Sequence, residues 1–105
     1  MSIMTLKQKI DGIIRNINVL HKEDPKIYEY WDQLTECLIE DRNETLSFIK
    51  AIDNEEVAED LSTVFDDVAL TLQDERFIAA IEELSDKFPE ANLSHMVNAA
   101  KNNIN

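Results

Sequence analysis

Apolar residues recur every three or four positions along most of this 105-residue chain, and residues that form tight turns are scarce. There are one Gly and two Pro, and the only Asp-Gly dipeptide, Asp11-Gly12, lies inside a helical pattern. Steps of three and four place apolar side chains along one side of an α-helix, whereas hairpins need alternating strands and turn residues. The sequence therefore predicts an all-α fold, a compact single-domain bundle of five or six short helices over residues 1–105.

The first helix is predicted to run from Ser2, its N-cap, to His21. Its apolar residues follow the a/d pattern of a coiled-coil seam, and they are Ile3, Leu6, Ile10, Ile13, Ile17 and Leu20. This seam is short for an independent coiled coil, and Ile14 widens the apolar stripe beyond the a/d positions. Packing inside the bundle is therefore favoured, and a homodimer through helix one is the alternative.

Start and stop signals divide the rest of the chain. Asp24 as N-cap with Pro25 at the first helical position predicts a second helix, which ends near Glu40. The remaining predicted boundaries are Asn43 as the third N-cap, Asp53 or Asn54 as the fourth, Asp74 as the fifth, Phe88-Pro89 as the end of the fifth helix, and Asn92 to Asn103 as the sixth.

The segment from Asp53 to Glu75 carries nine carboxylates and no Lys or Arg. On one helical wheel its apolar residues, from Val57 to Leu72, share one side and most carboxylates occupy the other. Caps and first-turn charges explain the carboxylates near its two ends. Those explanations leave Glu59, Asp60, Asp66 and Asp67, together with Leu70, the one apolar residue among them. They are candidate partner-binding residues, and a solvated helix face is the alternative.

An aromatic cluster, Tyr28, Tyr30 and Trp31, lies on the second helix. Core packing is the favoured interpretation of such residues, and an interface anchor is the alternative, because Trp and Tyr are frequent at the energetic centres of interfaces. If Tyr30 lies beside the carboxylates, it would form an aromatic anchor for a Lys- or Arg-rich partner.

The net charge is −12, and residues 1–22 contribute +3, which leaves −15 for the rest. This excess disfavours direct binding to nucleic acid or anionic membranes and favours a basic protein partner. We expect a cytoplasmic protein, because charges interrupt the apolar residues at the N-terminus and the single cysteine, Cys37, forms no intramolecular disulfide.

No pattern for catalysis, a metal or a cofactor is complete. Neither His21 nor His95 has a Glu three positions earlier, as a di-metal carboxylate bundle requires. A calcium loop beginning at Asp53 would need a glycine where Ala58 stands. The sequence therefore predicts a protein that is not an enzyme and needs no cofactor.

The C-terminal half, from Asp53 on, resembles small acidic helical immunity proteins of bacterial polymorphic toxin systems. The resemblance lies in the segments VFDDVALTLQ and DERFIAAIEELSDKFPEANL and in a short last helix. It implies inhibition of a toxin or nuclease by occlusion, without catalysis, and it transfers no site residue. The alternatives are a DNA-mimic inhibitor of a DNA-binding protein and a homo-oligomeric structural module.

Overall fold

A computed structural model describes residues 5–21 and 23–105 of the chain. Within these residues the chain forms seven α-helices and one 3-10 turn. The helices are α1 (Leu6–Asn18), α2 (Lys26–Glu40), α3 (Arg42–Ala51), α4 (Glu55–Ser62), α5 (Phe65–Leu72), α6 (Glu75–Lys87) and α7 (Ser94–Asn102), and the 3-10 turn is Pro89–Ala91. The all-α prediction is confirmed, and the predicted number of five or six helices is too low.

Helix α1 begins and ends inside its predicted bounds. Thr5 caps it reciprocally: its Oγ1 accepts a hydrogen bond from the Gln8 N–H at 3.1 Å, and its N–H donates to Gln8 Oε1 at 2.9 Å. The predicted cap, Ser2, lies outside the described residues. The helix ends at Asn18, so His21 lies beyond it and the prediction that His21 occupies the last turn is wrong.

Helices α2 and α3 meet at a single residue. The predicted cap Asp24 accepts a hydrogen bond from the Lys26 N–H at 2.9 Å, although the helix begins one residue after Pro25. Asp41 ends α2 and caps α3, where its Oδ1 accepts from the Glu44 N–H at 3.1 Å. The cap predicted for α3, Asn43, is therefore wrong, because α3 starts directly after α2.

The fourth predicted helix is in fact two helices, α4 and α5. The Val64 N–H donates to the Leu61 carbonyl at 3.1 Å, a tightened turn, and Val64 takes a non-helical φ of −108° with ψ of 7°. The Ser62 hydroxyl donates to the Glu59 carbonyl at 2.6 Å, a side-chain bond that competes with regular helix. No Gly or Pro marks this break. A single wheel over residues 57–72 is consequently wrong as a description of the segment.

The C-terminal predictions are closer to the structure. Asp74 caps α6, and the helix stops before Phe88-Pro89 as predicted. Asn92 does not start a helix, because it adopts a left-handed conformation with φ of 56° after the 3-10 turn. Helix α7 therefore begins two residues later than predicted and buries Val97 and Ala100.

The buried apolar residues form one cluster to which every helix contributes. Helix α1 packs on α2 and α3, and α5 packs on α2, α6 and α7. Leu6, Ile10, Ile13 and Ile14 of the α1 stripe are buried inside the chain, which confirms packing within the bundle for these residues. A homodimer through the same residues would require them to leave the core.

Candidate protein-binding surface

Helix α4 carries two of the candidate carboxylates. Glu59 is exposed and Asp60 is half-buried. Burial raises the pKa of Asp60, and the neighbouring carboxylates of Glu59 and Glu56 raise it further. A cation placed beside Asp60 would therefore relieve an unfavourable environment.

Helix α5 carries the other two carboxylates and Leu70. Asp66 is half-buried, Asp67 is exposed, and Leu70 is 56% exposed. Since α5 begins at Phe65, both carboxylates lie in its first turn, where the helix dipole favours negative charge. The single-helix prediction missed this structural contribution. The exposed position of Leu70, which the sequence predicted, has no such structural explanation.

Asp32 of α2 adds a carboxylate that sequence reasoning did not select. Helix α2 packs against α5, and Asp32 is exposed. Burial raises the pKa of Asp67, and the charges of Asp66 and Asp32 raise it further, so the three carboxylates lie within electrostatic range of one another. The sequence feature that could have identified Asp32 is its position one helical turn after Tyr28, on the helix that carries the aromatic cluster.

The aromatic residue at the surface is Tyr28, not Tyr30. Tyr30 is half-buried and packs against the core, whereas Tyr28 is 64% exposed. The Tyr28 ring meets the half-buried Trp31 edge to face, with a centroid separation of 5.3 Å and an interplanar angle of 87°. This contact restricts the Tyr28 ring, and a rigid exposed ring suits an interface anchor.

The candidate carboxylates lack basic partners within the part of the chain that the structure describes. The ion pairs found there are Lys7–Asp11, Lys9–Glu40, Arg42–Asp74, Arg76–Asp74 and Lys101–Glu82. None of them includes a candidate carboxylate, and neither α4 nor α5 carries a Lys or Arg. The surface therefore has negative charge that the described chain does not neutralise.

The last residues of the chain hold α5 in place. Asn103 Nδ2 donates to the Asp66 carbonyl at 2.9 Å, and Gln73 Nε2 donates to the carbonyls of Leu70 at 2.9 Å and Asn103 at 2.6 Å. The Asn105 N–H donates to Gln73 Oε1 at 2.8 Å. The backbone that presents Asp66, Asp67 and Leu70 is thus tied at both ends of the helix.

The structure divides the predicted site residues into two groups. Glu59 and Asp60 belong to α4, whereas Asp66, Asp67 and Leu70 belong to α5, beyond the break at Val64. Helix α5, which carries the second group, packs against α2. On α2, Tyr28 lies one helical turn before Asp32, and on α5, Leu70 lies about one turn after Asp67.

Metal ligands, the single thiol and a surface cleft are further features of the described residues. No group of three His, Cys, Asp or Glu side chains is placed to hold a metal ion among residues 5–21 and 23–105. Cys37 is half-buried, and burial raises the pKa of its thiol, which disfavours the reactive thiolate. A cleft of about 260 Å³ beside α1 and α3 is lined partly by the ion pair of Lys7 and Asp11.

None of the helices in the described residues is both long enough and apolar enough to cross a membrane.

No protein-family model, no curated protein and no solved structure matches this chain.

Proposed function

We propose that the protein is a non-catalytic inhibitor of the immunity type, which binds a basic partner protein such as a toxin or nuclease and occludes its working surface. The observation that carries the proposal is the concentration of carboxylates on α4 and α5 without a basic residue on either helix. Exposed Leu70 lies among them and supplies apolar contact area. We expect the protein to act in the cytoplasm, where it would meet its partner.

Electrostatic attraction would govern how fast the two proteins associate. A net charge of −12 attracts a basic surface over a distance set by the salt concentration, about 8 Å at physiological ionic strength. Once the proteins are in contact, occlusion requires only that the inhibitor cover the partner's functional residues. No covalent step is needed, and inhibition would be stoichiometric.

The test begins with capture of the partner from native cells and with expression of the adjacent gene product if that product is a basic toxin. Its activity should fall to zero at one equivalent of inhibitor. The association rate should drop about tenfold or more between low and high salt. An association rate that does not change with salt would reject the electrostatic mechanism.

A charge-reversal pair of variants locates the surface. Changing Glu59, Asp66 and Asp67 to Lys should slow association strongly. The control changes three exposed acidic residues on α6 and the 3-10 turn to Lys, namely Glu83, Asp86 and Glu90, and so alters the net charge equally. Equal losses in the two variants would mean that overall charge, not this surface, drives binding.

The same partner distinguishes the DNA-mimic alternative. A DNA mimic must compete with duplex DNA for the partner, because both would occupy the same basic groove. An inhibitor that covers another surface would bind the partner and its DNA together. If the protein and duplex DNA exclude each other from the partner, the DNA-mimic function is favoured.

A further inference from the structure

Resting on the proposed function, we infer that the cleft between α1, α3 and the start of α4 anchors the partner by receiving one of its aromatic side chains, flanked by Arg or Lys. We call it the α1–α4 cleft, and the residues that the argument uses are Lys7, Asp11, Phe48, Ile52, Asp53 and Val57. The carboxylates of the acidic helices would attract the basic partner, whereas this cleft would hold it once the two proteins are in contact.

The walls of the α1–α4 cleft are apolar. They are formed by Phe48 of α3, Ile52 just after its end and Val57 of α4. Phe48 and Val57 are half-buried, so part of their apolar surface remains accessible in the cleft. The volume is about 260 Å³. A cavity of about 150 Å³ with apolar walls accepts benzene, so this cleft has room for one aromatic ring. A helix, which is about 10 Å across, would not enter it.

An aromatic side chain suits these walls better than an aliphatic one. Phe48 supplies an aromatic ring, and contacts between two rings are more favourable than their buried area alone accounts for. Aromatic side chains also dominate the energetic centres of protein interfaces, where they fill pockets of the partner. A single inserted ring would therefore contribute much of the affinity.

The charges around the opening favour a cation beside that ring. Asp53, between α3 and α4, is exposed and forms no ion pair within residues 5–21 and 23–105. On the α1 side Lys7 Nζ lies 3.6 Å from Asp11 Oδ2, and the Lys7 side chain is 76% exposed. Such exposed pairs are weak. A basic residue next to the ring would therefore pair with Asp53 on the α4 side of the cleft.

Helix α4 continues the negative surface away from the cleft. Glu55 and Glu56 lie in its first turn, and Asp60 follows Val57 by three positions. Residues three apart are neighbours on a helix surface. A partner segment that inserts its ring against Val57 therefore passes close to Asp60, where a second basic residue would reduce the repulsion among the carboxylates.

The cleft is formed before the partner binds. Asn54 Oδ1 accepts hydrogen bonds from the N–H groups of Glu56 at 2.9 Å and Val57 at 3.3 Å, which fix the start of α4. Lys87 Nζ of α6 donates to the Ile52 carbonyl and ties the end of α3 to α6. An inserted ring would thus be buried against walls that are already ordered, and little affinity would be lost to ordering them.

Three short peptides, acetylated and amidated, test the inference with the full-length protein at low salt. They are Gly-Arg-Phe-Arg-Gly, Gly-Arg-Ser-Arg-Gly and Gly-Glu-Phe-Glu-Gly. We expect the Arg-Phe-Arg peptide to bind about tenfold tighter than the Arg-Ser-Arg peptide, because only the first buries a ring. The Glu-Phe-Glu peptide should bind more weakly still, because its charges face carboxylates. NMR shift changes that depend on the Phe should centre on Phe48, Ala51 and Val57.

Variants separate the wall of the cleft from its charge. Val57→Thr keeps the side-chain shape and places a hydroxyl in the wall. It should reduce the preference for the Arg-Phe-Arg peptide about threefold or more and leave binding of the Arg-Ser-Arg peptide unchanged. Val19→Thr, the same change at a residue that is 78% exposed, is the control and should leave the preference intact. Far-UV circular dichroism checks that each variant keeps its helical content.

The charge contribution has its own pair of variants. Asp53→Asn removes the carboxylate beside the cleft and leaves the cap at Asn54 in place. It should weaken both Arg peptides more than Glu83→Gln does, which removes one exposed charge from α6. Equal weakening by the two variants would overturn the pairing of Asp53 with a basic residue of the partner.

The partner protein provides a second measurement, because anchoring and attraction act on different rates. Val57→Thr should raise the dissociation rate about threefold or more and leave the association rate unchanged. The charge reversal of Glu59, Asp66 and Asp67 should instead slow association. An unchanged dissociation rate for Val57→Thr would overturn the anchoring role of the cleft.

The peptide results also distinguish failure of this inference from failure of the proposed function. Equal affinities for the Arg-Phe-Arg and Arg-Ser-Arg peptides, or shift changes centred away from the cleft, would overturn the inference and leave attraction of a basic partner standing. Binding of the Glu-Phe-Glu peptide as tight as that of the Arg-Phe-Arg peptide would overturn the preference for flanking basic residues. Failure of all three peptides to bind would also overturn the inference, whereas the proposed function fails only if the partner's association rate is independent of salt.

Discussion

Arg42 and Asp74 join the start of α3 to the start of α6: Arg42 Nε lies 3.5 Å from Asp74 Oδ2. Asp74 also pairs with Arg76, whose Nη2 lies 2.8 Å from the same oxygen. Only 8% of Asp74 is exposed, and its side chain caps α6 by accepting from the Arg76 N–H at 2.9 Å. The Asp74 carboxylate therefore caps α6 and bridges two arginines. It lies two residues after the end of α5.

Asp74→Ala should lower the free energy of unfolding by about 2 kcal/mol, because it removes the cap and leaves Arg42 and Arg76 without their carboxylate partner. Asp74→Asn keeps an oxygen at the cap and should lose less. Urea denaturation of the two variants and the parent measures the difference. Equal losses would show that the ion pairs, not the cap, account for the whole effect.

The Asp74 carboxylate should also contribute to acid sensitivity. The hydrogen bond from the Arg76 side chain, with the charges of Arg76 and Arg42, lowers its pKa from the ordinary value. The folded protein therefore holds this proton less tightly than the unfolded chain. The stabilisation is complete above the unfolded pKa of about 3.9 and is lost as the pH falls through the folded pKa. Asp74→Asn should reduce the pH dependence of unfolding in this acid range.

Asp67→Asn should have the opposite effect and stabilise the protein at neutral pH. Burial and the charges of Asp66 and Asp32 raise the pKa of Asp67, so the folded state is destabilised when Asp67 is ionised. The penalty is present above the folded pKa and disappears below the unfolded one. Because Asp67 is exposed, the gain should be below about 1 kcal/mol.

Thermal unfolding at pH 7 and near pH 4 measures this effect for Asp67→Asn. The variant's advantage should shrink at the lower pH. Glu83→Gln, which removes one exposed charge from α6, is the matched control for the general reduction of negative charge. If Asp67→Asn gains no more stability than the control, the charges of Asp32 and Asp66 do not destabilise the ionised Asp67.

Gln73 combines an unusual backbone conformation with four side-chain hydrogen-bond partners. Its φ of 48° lies in the left-handed region, which costs a non-glycine residue about 1 kcal/mol. Gln73→Ala keeps this cost and loses the bonds to the carbonyls of Ala69, Leu70 and Asn103 and to the Asn105 N–H. Gln73→Gly loses the same bonds and relieves the strain. Chemical denaturation should therefore rank stability as parent, then Gly, then Ala, and an Ala variant as stable as the parent would contradict a holding role.

The accuracy of the fold prediction varied with the strength of the local signals. Helix α6 was predicted closely because Asp74 and Phe88-Pro89 are strong signals at its two ends. The break between α4 and α5 was missed because neither Gly nor Pro marks it. It depends on the Ser62 hydroxyl and on the packing of Val64 and Phe65, which are 1% and 0% exposed.

The candidate site was predictable only where one helix decides the outcome. The exposure of Leu70 followed from its position among carboxylates on a helical wheel, and the structure confirms it. Asp32 did not follow, since only the packing of α2 on α5 brings it within electrostatic range of Asp67. Periodicity alone did not show which of Tyr28 and Tyr30 is covered by the rest of the fold.

Leu70 and Leu72 offer a direct comparison between a candidate binding residue and a core residue of the same helix. They lie two positions apart on α5, and their exposed fractions are 56% and 6%. Leu70→Ser should change the free energy of unfolding by less than about 0.5 kcal/mol, because little apolar surface leaves the core. Leu72→Ala should cost about 2 to 5 kcal/mol through lost burial and a cavity. Denaturation curves of both variants measure this contrast, and a loss for Leu70→Ser comparable to that for Leu72→Ala would mean that Leu70 serves the fold. Its exposure would then give no support to a role in binding a partner.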